Sequence, residues 1–164
     1  MREHLNNVFI APNQQQGWYL KSTPKASPLP RDIDEMPVTS NKADVIVSNC
    51  VLNLVPNKHK VFSEIFRVLK PGAHFSISDI VLEGELPAKW REVAEFYAGC
   101  ISGAIQKNDY LAIIKEAGFT NITLQKNKPI IIPDEILVNY LSAEEIALYK
   151  SSSTKITSIT VYAE

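Results

Sequence analysis

The two cysteines are the residues of this sequence with the most distinctive chemistry. Cys50 directly follows the β-rich run 43–49, so it stands at the carboxyl end of a predicted strand, and Cys100 lies on a helix predicted over residues 87–102. Open α/β sheets bind ligands beyond the carboxyl ends of their strands. A thiolate pair there could hold a soft, thiophilic ion or carry redox chemistry. The alternative is that both cysteines are small buried hydrophobic residues.

Other kinds of catalytic centre have no support in the sequence. The six glycines form no G-x-G pair, so a phosphate-cradling glycine loop is missing. No serine stands in a G-x-S-x-G elbow. The three histidines are scattered without metal-ligand spacing, at His4, His59 and His74. We therefore predict no metal site, and the thiol pair remains the candidate.

The middle of the chain predicts the elements that would position Cys50. Residues 43–48 form a buried strand, residues 58–70 have apolar residues at helical spacing, and residues 73–82 form a second strand. Pro71 and Gly72 would close the helix. A strand, a helix and a strand in this order favour a right-handed crossover onto a parallel sheet.

The second half predicts more helices and two late strands. The predicted elements are a helix 87–102, a helix capped by Asn108 and ended by Gly118, a strand 119–124 with a continuation at 130–132, a helix opened by Pro133, a helix with the capping box Ser142–Glu145, and a strand 156–163. No crossover helix directly precedes the last strand, so an antiparallel edge is expected. The predicted fold class is α/β, doubly wound, with a late antiparallel β-strand pair.

Composition limits the class of protein. The chain has 164 residues, a formal net charge of −1, 45% hydrophobic residues and 21% charged residues, which suits one globular domain or part of a larger one. No apolar run is long enough for a membrane span, and the first residues lack a signal-peptide h-region. Without a basic run, no nucleic-acid partner is expected. Two cysteines do not make a disulfide scaffold, so we predict a cytoplasmic protein with reduced thiols.

Four segments together resemble the arsenite methyltransferases, which are S-adenosylmethionine-dependent enzymes of the Rossmann-like class I. The segments are ADVIVSNCVLNLVPNK (43–58), EIFRVLKPG (64–72), FSISDIV (75–81) and FYAGCISGA (96–104). RVLKPG is common to many class I methyltransferases, whereas SNCVLNL followed by YAGCISGA is much more specific. The resemblance covers residues 32–164, so we expect that range to be the carboxyl-terminal part of a methyltransferase domain. Residues 1–31 would then be an irregular leader rich in proline and glutamine, with one strand at residues 7–10.

The resemblance implies roles for five residues. Cys50 and Cys100 stand in the two motifs whose cysteines bind trivalent arsenic, and arsenic held there would take its methyl group from S-adenosylmethionine without a general base. RDIDEMP (31–37) resembles the family's adenine-binding segment, which implies Asp32 for the exocyclic amine and Ile33 for the ring face. Asn49 would approach the methionine part of the cofactor.

The departures from the family leave alternatives open. The glycine-rich cofactor loop and its preceding strand are not recognisable in residues 1–31, Arg31 replaces a family glycine, and two thiolates remain where the family uses three. The chain could instead be a non-catalytic binder of soft ions or a partner subunit, or a small-molecule methyltransferase with structural cysteines. A sheet truncated at its N-terminal side would also expose the strand at Val45–Val47, which predicts self-association through that edge.

Overall fold

The sheet of this protein has seven strands, three of them from the leader. The computed structural model describes residues 8–11, 18–21, 27–29, 33–86, 92, 101 and 103–164. The strands are β1 (Val8–Ala11), β2 (Trp18–Lys21), β3 (Ser27–Leu29), β4 (Ala43–Asn49), β5 (Leu69–Glu83), β6 (Thr123–Pro129) and β7 (Lys155–Ala163). Their order across the sheet is β3-β2-β1-β4-β5-β7-β6.

The leader corrects two expectations. It was expected to be irregular with one strand, but it supplies three, and β1 pairs in parallel with β4 from Val8 opposite Val45 to Ala11 opposite Ser48. Strand β4 therefore lies between β1 and β5 and is not an edge, so the expected exposure of Val45–Val47 is wrong. Strands β2 and β3 follow in antiparallel pairing. The sequence reasoning missed them because they are short and β3 contains Pro28, a residue that sheets tolerate at an edge.

The predicted βαβ unit is confirmed. Helix α1 (Lys58–Val68) connects the parallel strands β4 and β5, and the side chain of its N-cap, Asn57, accepts a hydrogen bond from the Lys60 amide at 3.0 Å. The helix ends before the expected residue 70 because Leu69 already pairs with Ala43 and begins β5. The crossover leaves the carboxyl ends of β4 and β5 side by side, where Cys50 begins the next segment.

The second half departs from expectation in its boundaries. The other helices are α2 (Lys107–Glu116), α3 (Asp134–Leu137) and α4 (Ala143–Ser151). Gln106, not Asn108, is the N-cap of α2, whereas Gly118 follows its end at φ 105° and the Ser142–Glu145 capping box precedes α4, both as predicted. The helix predicted over 87–102 lies outside the described residues except for positions 92 and 101.

The late strand pair is antiparallel, as predicted, but one strand is shifted. Strand β7 pairs antiparallel with both β5 and β6. The prediction that residues 119–124 form a strand is wrong for its first four residues, because β6 begins only at Thr123; Phe119 is instead buried in the core, with its ring 4.8 Å from that of Phe75. Strand β6 consists of exposed residues and ends at Pro129, so residues 130–132 do not continue it.

Two hydrophobic clusters cover the sheet. The larger one joins α1 and α2 to β4, β5 and β7 through residues such as Ile46, Phe62 and Ile114, all fully buried. The second one contains Ile80, Leu82, Ile101 and Leu137 with parts of the carboxyl-terminal segment. Cys50 packs against this second cluster. Among the residues placed by the structure, no helix is long and apolar enough to cross a membrane.

Candidate thiol site at the end of the fourth strand

Cys50 turns the chain sharply at the end of β4. Its backbone has φ 56°, a left-handed conformation that is uncommon for a residue other than glycine, asparagine or aspartate. The Cys50 amide donates a hydrogen bond to the Ser78 carbonyl at 2.8 Å, which extends the β4–β5 pairing by one residue before the turn. Backbone conformations of this kind are kept where the surrounding structure holds them, and they cluster at functional sites. The half-buried Cys50 thus lies at the carboxyl end of β4, where open α/β sheets bind ligands.

The segment after Cys50 is held against the segment that follows position 100. Cys100 itself lies outside the described residues, but Gly103 approaches the turn Leu52–Leu54 so closely that a Cβ on it would stand 1.6 Å from the Asn53 carbonyl oxygen. Lys58 Nζ also donates a hydrogen bond to the Gly103 carbonyl at 2.7 Å. Glycine is required at this close approach.

A groove runs along this contact. It has a volume of about 510 Å³ and is lined by Asn53, Leu54, Val55, Pro56, Lys58, Gly103, Ala104 and Ile105. Lys58 is 6% exposed, and burial lowers the pKa of its ammonium group while the charge of Asp79 opposes that shift. The groove therefore combines a buried cation with apolar walls beside the start of the Cys50 segment.

A buried carboxyl group lies beneath the same strand ends. Asp79, on β5, is 1% exposed, and its Oδ2 accepts a hydrogen bond of 2.9 Å from the hydroxyl of the fully buried Tyr110. Burial raises the pKa of Asp79 to about 7, against the opposing effects of the Tyr110 hydrogen bond, the Lys58 charge and the Asn53 backbone amide. Asn53 is fixed here because its Nδ2 donates to the Ile80 carbonyl at 2.7 Å. The sequence reasoning missed this cluster, although an aspartate inside the apolar run of β5 was a usable signal.

The residues predicted to hold a cofactor are only partly brought together. Asp32 lies outside the described residues, and its neighbour Ile33 is 4% exposed within the larger core cluster. Asn49 is exposed at the end of β4, opposite Ser78. Their roles toward adenine and methionine stay predictions.

The segment beside Ile33 is hydrogen-bonded to helix α1. Glu64 accepts hydrogen bonds from the Met36 amide at 2.8 Å and from two nitrogens of Arg67 at 2.6 and 2.7 Å. The hydrogen bond from Arg67 holds the pKa of Glu64 below its ordinary value, with burial opposing. The turn 33–38 is therefore held against the second half of α1.

The described residues do not form a complete cofactor site. Strand β1 occupies the place next to β4, and the next element described after it is the antiparallel strand β2, not a helix whose N-terminus could face a ligand. No G-x-G pair occurs anywhere in the sequence. Within the described parts of the chain, no group of three or more His, Cys, Asp or Glu side chains could hold a metal ion.

Comparisons with known proteins identify the family. A family model described as a methyltransferase domain matches residues 29–118. The arsenite methyltransferase of Aquipseudomonas alcaligenes is 36% identical over 110 residues, which is 67% of this chain and 32% of that protein. The human arsenite methyltransferase is 34% identical over 87 residues, 53% of this chain and 23% of that protein. The chain thus spans a third or less of these relatives.

Solved structures agree with the sequence comparisons. The crystal structure of an arsenic(III) S-adenosylmethionine methyltransferase from Chlamydomonas reinhardtii superimposes with a TM-score of 0.65 at 26% identity, over 87% of this chain and 46% of that one. A phosphoethanolamine N-methyltransferase of Haemonchus contortus, solved with S-adenosylmethionine, shares the fold at a TM-score of 0.55 and 17% identity. The chain therefore belongs to the S-adenosylmethionine-dependent methyltransferase family and is similar, within that family, to the arsenite methyltransferases.

Proposed function

We propose that this chain binds trivalent arsenic through Cys50 and Cys100 and is the acceptor-binding part of a methyltransferase of the arsenite type. In this proposal residues 32–164 are the methyltransferase-like part and residues 1–31 are a leader that completes the sheet. The observation that carries the proposal is the backbone contact between Asn53 and Gly103.

That contact limits the separation of the two cysteines. Asn53 follows Cys50 by three residues, and Gly103 follows Cys100 by three residues. Three residues of extended chain span at most about 10 Å. The proposal therefore expects each cysteine backbone within about 10 Å of the same contact, although the two are far apart in sequence. Ile101, next to Cys100, is also fully buried in the cluster against which Cys50 packs.

The chemistry of the pair suits a soft thiophile. Thiolate sulfur is the ligand that soft ions prefer, and it is the nucleophilic form of cysteine. The arsenite methyltransferases of Halobacterium salinarum, Mus musculus and Homo sapiens align with this chain at 34–37% identity. Arsenite is therefore the substrate that we propose.

Methyl transfer by this chain alone is a separate question from arsenic binding. S-adenosylmethionine supplies the methyl group in this family, but the described residues do not form a complete site for it. This favours a second candidate function, in which the chain binds arsenic or a similar thiophile without turning it over. The contact between Asn53 and Gly103, which follow the two cysteines, supports the first two readings over the third, a small-molecule methyltransferase with structural cysteines.

Calorimetric titration with sodium arsenite in thiol-free buffer tests the proposal. One arsenic should bind per chain, and Cys50→Ser and Cys100→Ser should each weaken binding at least tenfold. Ser63→Ala, on the exposed face of α1, is the control and should leave the titration unchanged. Binding as tight as in the parent chain in either cysteine variant would overturn the proposal. Addition of S-adenosylmethionine, with mass-spectrometric detection of methylated arsenic, then separates the first candidate function from the second.

A further inference from the structure

Lys58 is a buried cation that forms no ion pair with any carboxylate of the described residues. The residue is 6% exposed. Within the described part of the chain its Nζ donates one hydrogen bond, of 2.7 Å to the Gly103 carbonyl, although an ammonium group has three donors. Lysine is almost never fully buried unless it is paired, so the two remaining donors need an explanation.

Asp79 does not fully neutralise this charge. Its carboxyl group acts on Lys58 through its charge, but Oδ2 accepts the Tyr110 hydroxyl at 2.9 Å, and Oδ1 has no hydrogen-bond partner among the described residues. Burial also raises the pKa of Asp79 to about 7, so this group is partly protonated at neutral pH. Lys58 therefore keeps an excess of positive charge inside the protein.

Lys58 and its acceptor Gly103 both line the groove of about 510 Å³. This volume lies within the range of small-molecule sites, about 300–1,000 Å³. None of the residues that line the groove is acidic, and Lys58 is the charged one among them. Five of the lining residues are apolar: Leu54, Val55, Pro56, Ala104 and Ile105. Leu54 is 45% exposed, so the groove offers a ligand apolar surface together with one positive charge.

We propose that this groove binds a small aliphatic carboxylate, whose oxygens accept hydrogen bonds from Lys58 Nζ and whose chain packs against the apolar walls. The single ammonium group matches the single negative charge of a carboxylate. It also supplies the polar anchor that small-molecule sites combine with apolar walls. Such a ligand would contact both residues 53–56 and residues 103–105, which form the two sides of the groove. The site uses neither cysteine, so it goes beyond the proposed binding of arsenic.

Two-dimensional NMR of the isotope-labelled chain tests this site, with pentanoate as the probe. The amide signals of Gly103 and Ala104 should shift saturably as pentanoate is added. Pentanamide has the same shape without the charge, so it should bind about tenfold more weakly. Lys58→Met keeps most of the apolar stem and should weaken pentanoate binding about tenfold. Lys60→Met, which removes a half-exposed lysine of α1 paired with Asp34, is the control and should leave the affinity unchanged.

Asp79→Asn gives a second check, because it removes the charge that competes with the ligand for Lys58. At pH 8 a carboxyl group with a pKa of about 7 is mainly ionised, so this variant should bind pentanoate about threefold more tightly than the parent chain. Equal binding of pentanoate and pentanamide by the parent chain, or unchanged affinity in Lys58→Met, would overturn the proposal. The comparison of the two probes needs no variant and no arsenite, so its outcome is independent of the proposed function.

Discussion

Gly103 lies directly against the carbonyl oxygen of Asn53, with space for a hydrogen atom but not for a methyl group. This contact joins the segment after Cys50 to the segment after Cys100, which the sequence places 50 positions apart. The second glycine of YAGCISGA is therefore needed for the contact on which the proposed thiol site depends.

We predict that Gly103→Ala weakens arsenite binding at least tenfold. The added methyl group would meet backbone atoms that cannot rotate away, so the segments must separate, at a cost of about 1–3 kcal/mol in the free energy of unfolding. Gly72→Ala is the matched control: it strains a backbone at φ 76° near the start of β5, away from the site. It should lower stability by about 1 kcal/mol without changing arsenite affinity. Calorimetry and denaturant unfolding measure the two effects, and equal affinities in both variants would contradict the prediction.

The second prediction concerns Asp79 and the pH dependence of stability. Its pKa in the folded chain, about 7, lies above the ordinary value of 3.8, so the folded state holds a proton that the unfolded state has lost between these values. The contribution of Asp79 to the free energy of unfolding therefore falls as the pH rises from about 4 to 7. The difference between its folded and unfolded pKa corresponds to a fall of about 4 kcal/mol. Asp79→Asn should remove this component.

Urea unfolding between pH 4 and 8 measures the contribution of Asp79 to the free energy of unfolding. The difference in unfolding free energy between Asp79→Asn and the parent should shift in favour of the variant as the pH rises. Asp44→Asn, which removes a half-buried carboxylate paired with Lys70 at 2.8 Å, should show no such trend. A constant difference across the range would mean that Asp79 is ionised normally in the folded chain.

The third prediction concerns the leader strands. Removing residues 1–31 deletes β1, β2 and β3 and exposes the unpaired edge of β4, which templates association with other chains. The shortened chain should therefore form oligomers or aggregates, whereas removing only residues 1–7, before β1, should leave the mass unchanged. Size-exclusion chromatography with light scattering compares the two. Two monomers of equal melting temperature would contradict the pairing of β1 with β4.

The fourth prediction is that S-adenosylmethionine binds weakly. Of the predicted cofactor-binding residues that the structure describes, only Asn49 is exposed, at the end of β4. The sequence also contains no glycine-rich cofactor loop. Loss of about half of the cofactor contacts should cost several kcal/mol, and each 1.4 kcal/mol is about tenfold in affinity. Calorimetric titration with S-adenosylmethionine measures this affinity. Low-micromolar binding by the isolated chain would show that other residues replace the missing loop.

The sequence predicted the parts of the fold whose signal is local. Apolar runs and caps located β4, α1, β5 and β7, because burial on both faces or one helical stripe leaves a periodic pattern. Strand β6 was placed too early because its residues are exposed and polar, so no apolar pattern marks it. Strands β2 and β3 were missed because they have only four and three residues and β3 contains Pro28, so neither leaves a clear strand pattern.

The candidate site also has parts that the sequence could predict and parts that it could not. Cys50 could be placed at a strand end from its neighbours alone. The link from Tyr110 to Asp79 spans 31 positions, and the contact of Gly103 with Asn53 spans 50, so neither has a spacing signature. Such contacts follow from the crossover of α1 and the packing of α2, which only the folded chain defines.

The number of sulfur atoms bound to arsenic is the most direct measure of the central claim. Arsenic K-edge X-ray absorption on the arsenite-loaded chain, in thiol-free buffer, counts these neighbours. We expect two sulfur atoms in the parent chain and one in Cys50→Ser or Cys100→Ser. An arsenic surrounded only by oxygen, or bound to one sulfur in the parent chain, would contradict a shared site for Cys50 and Cys100.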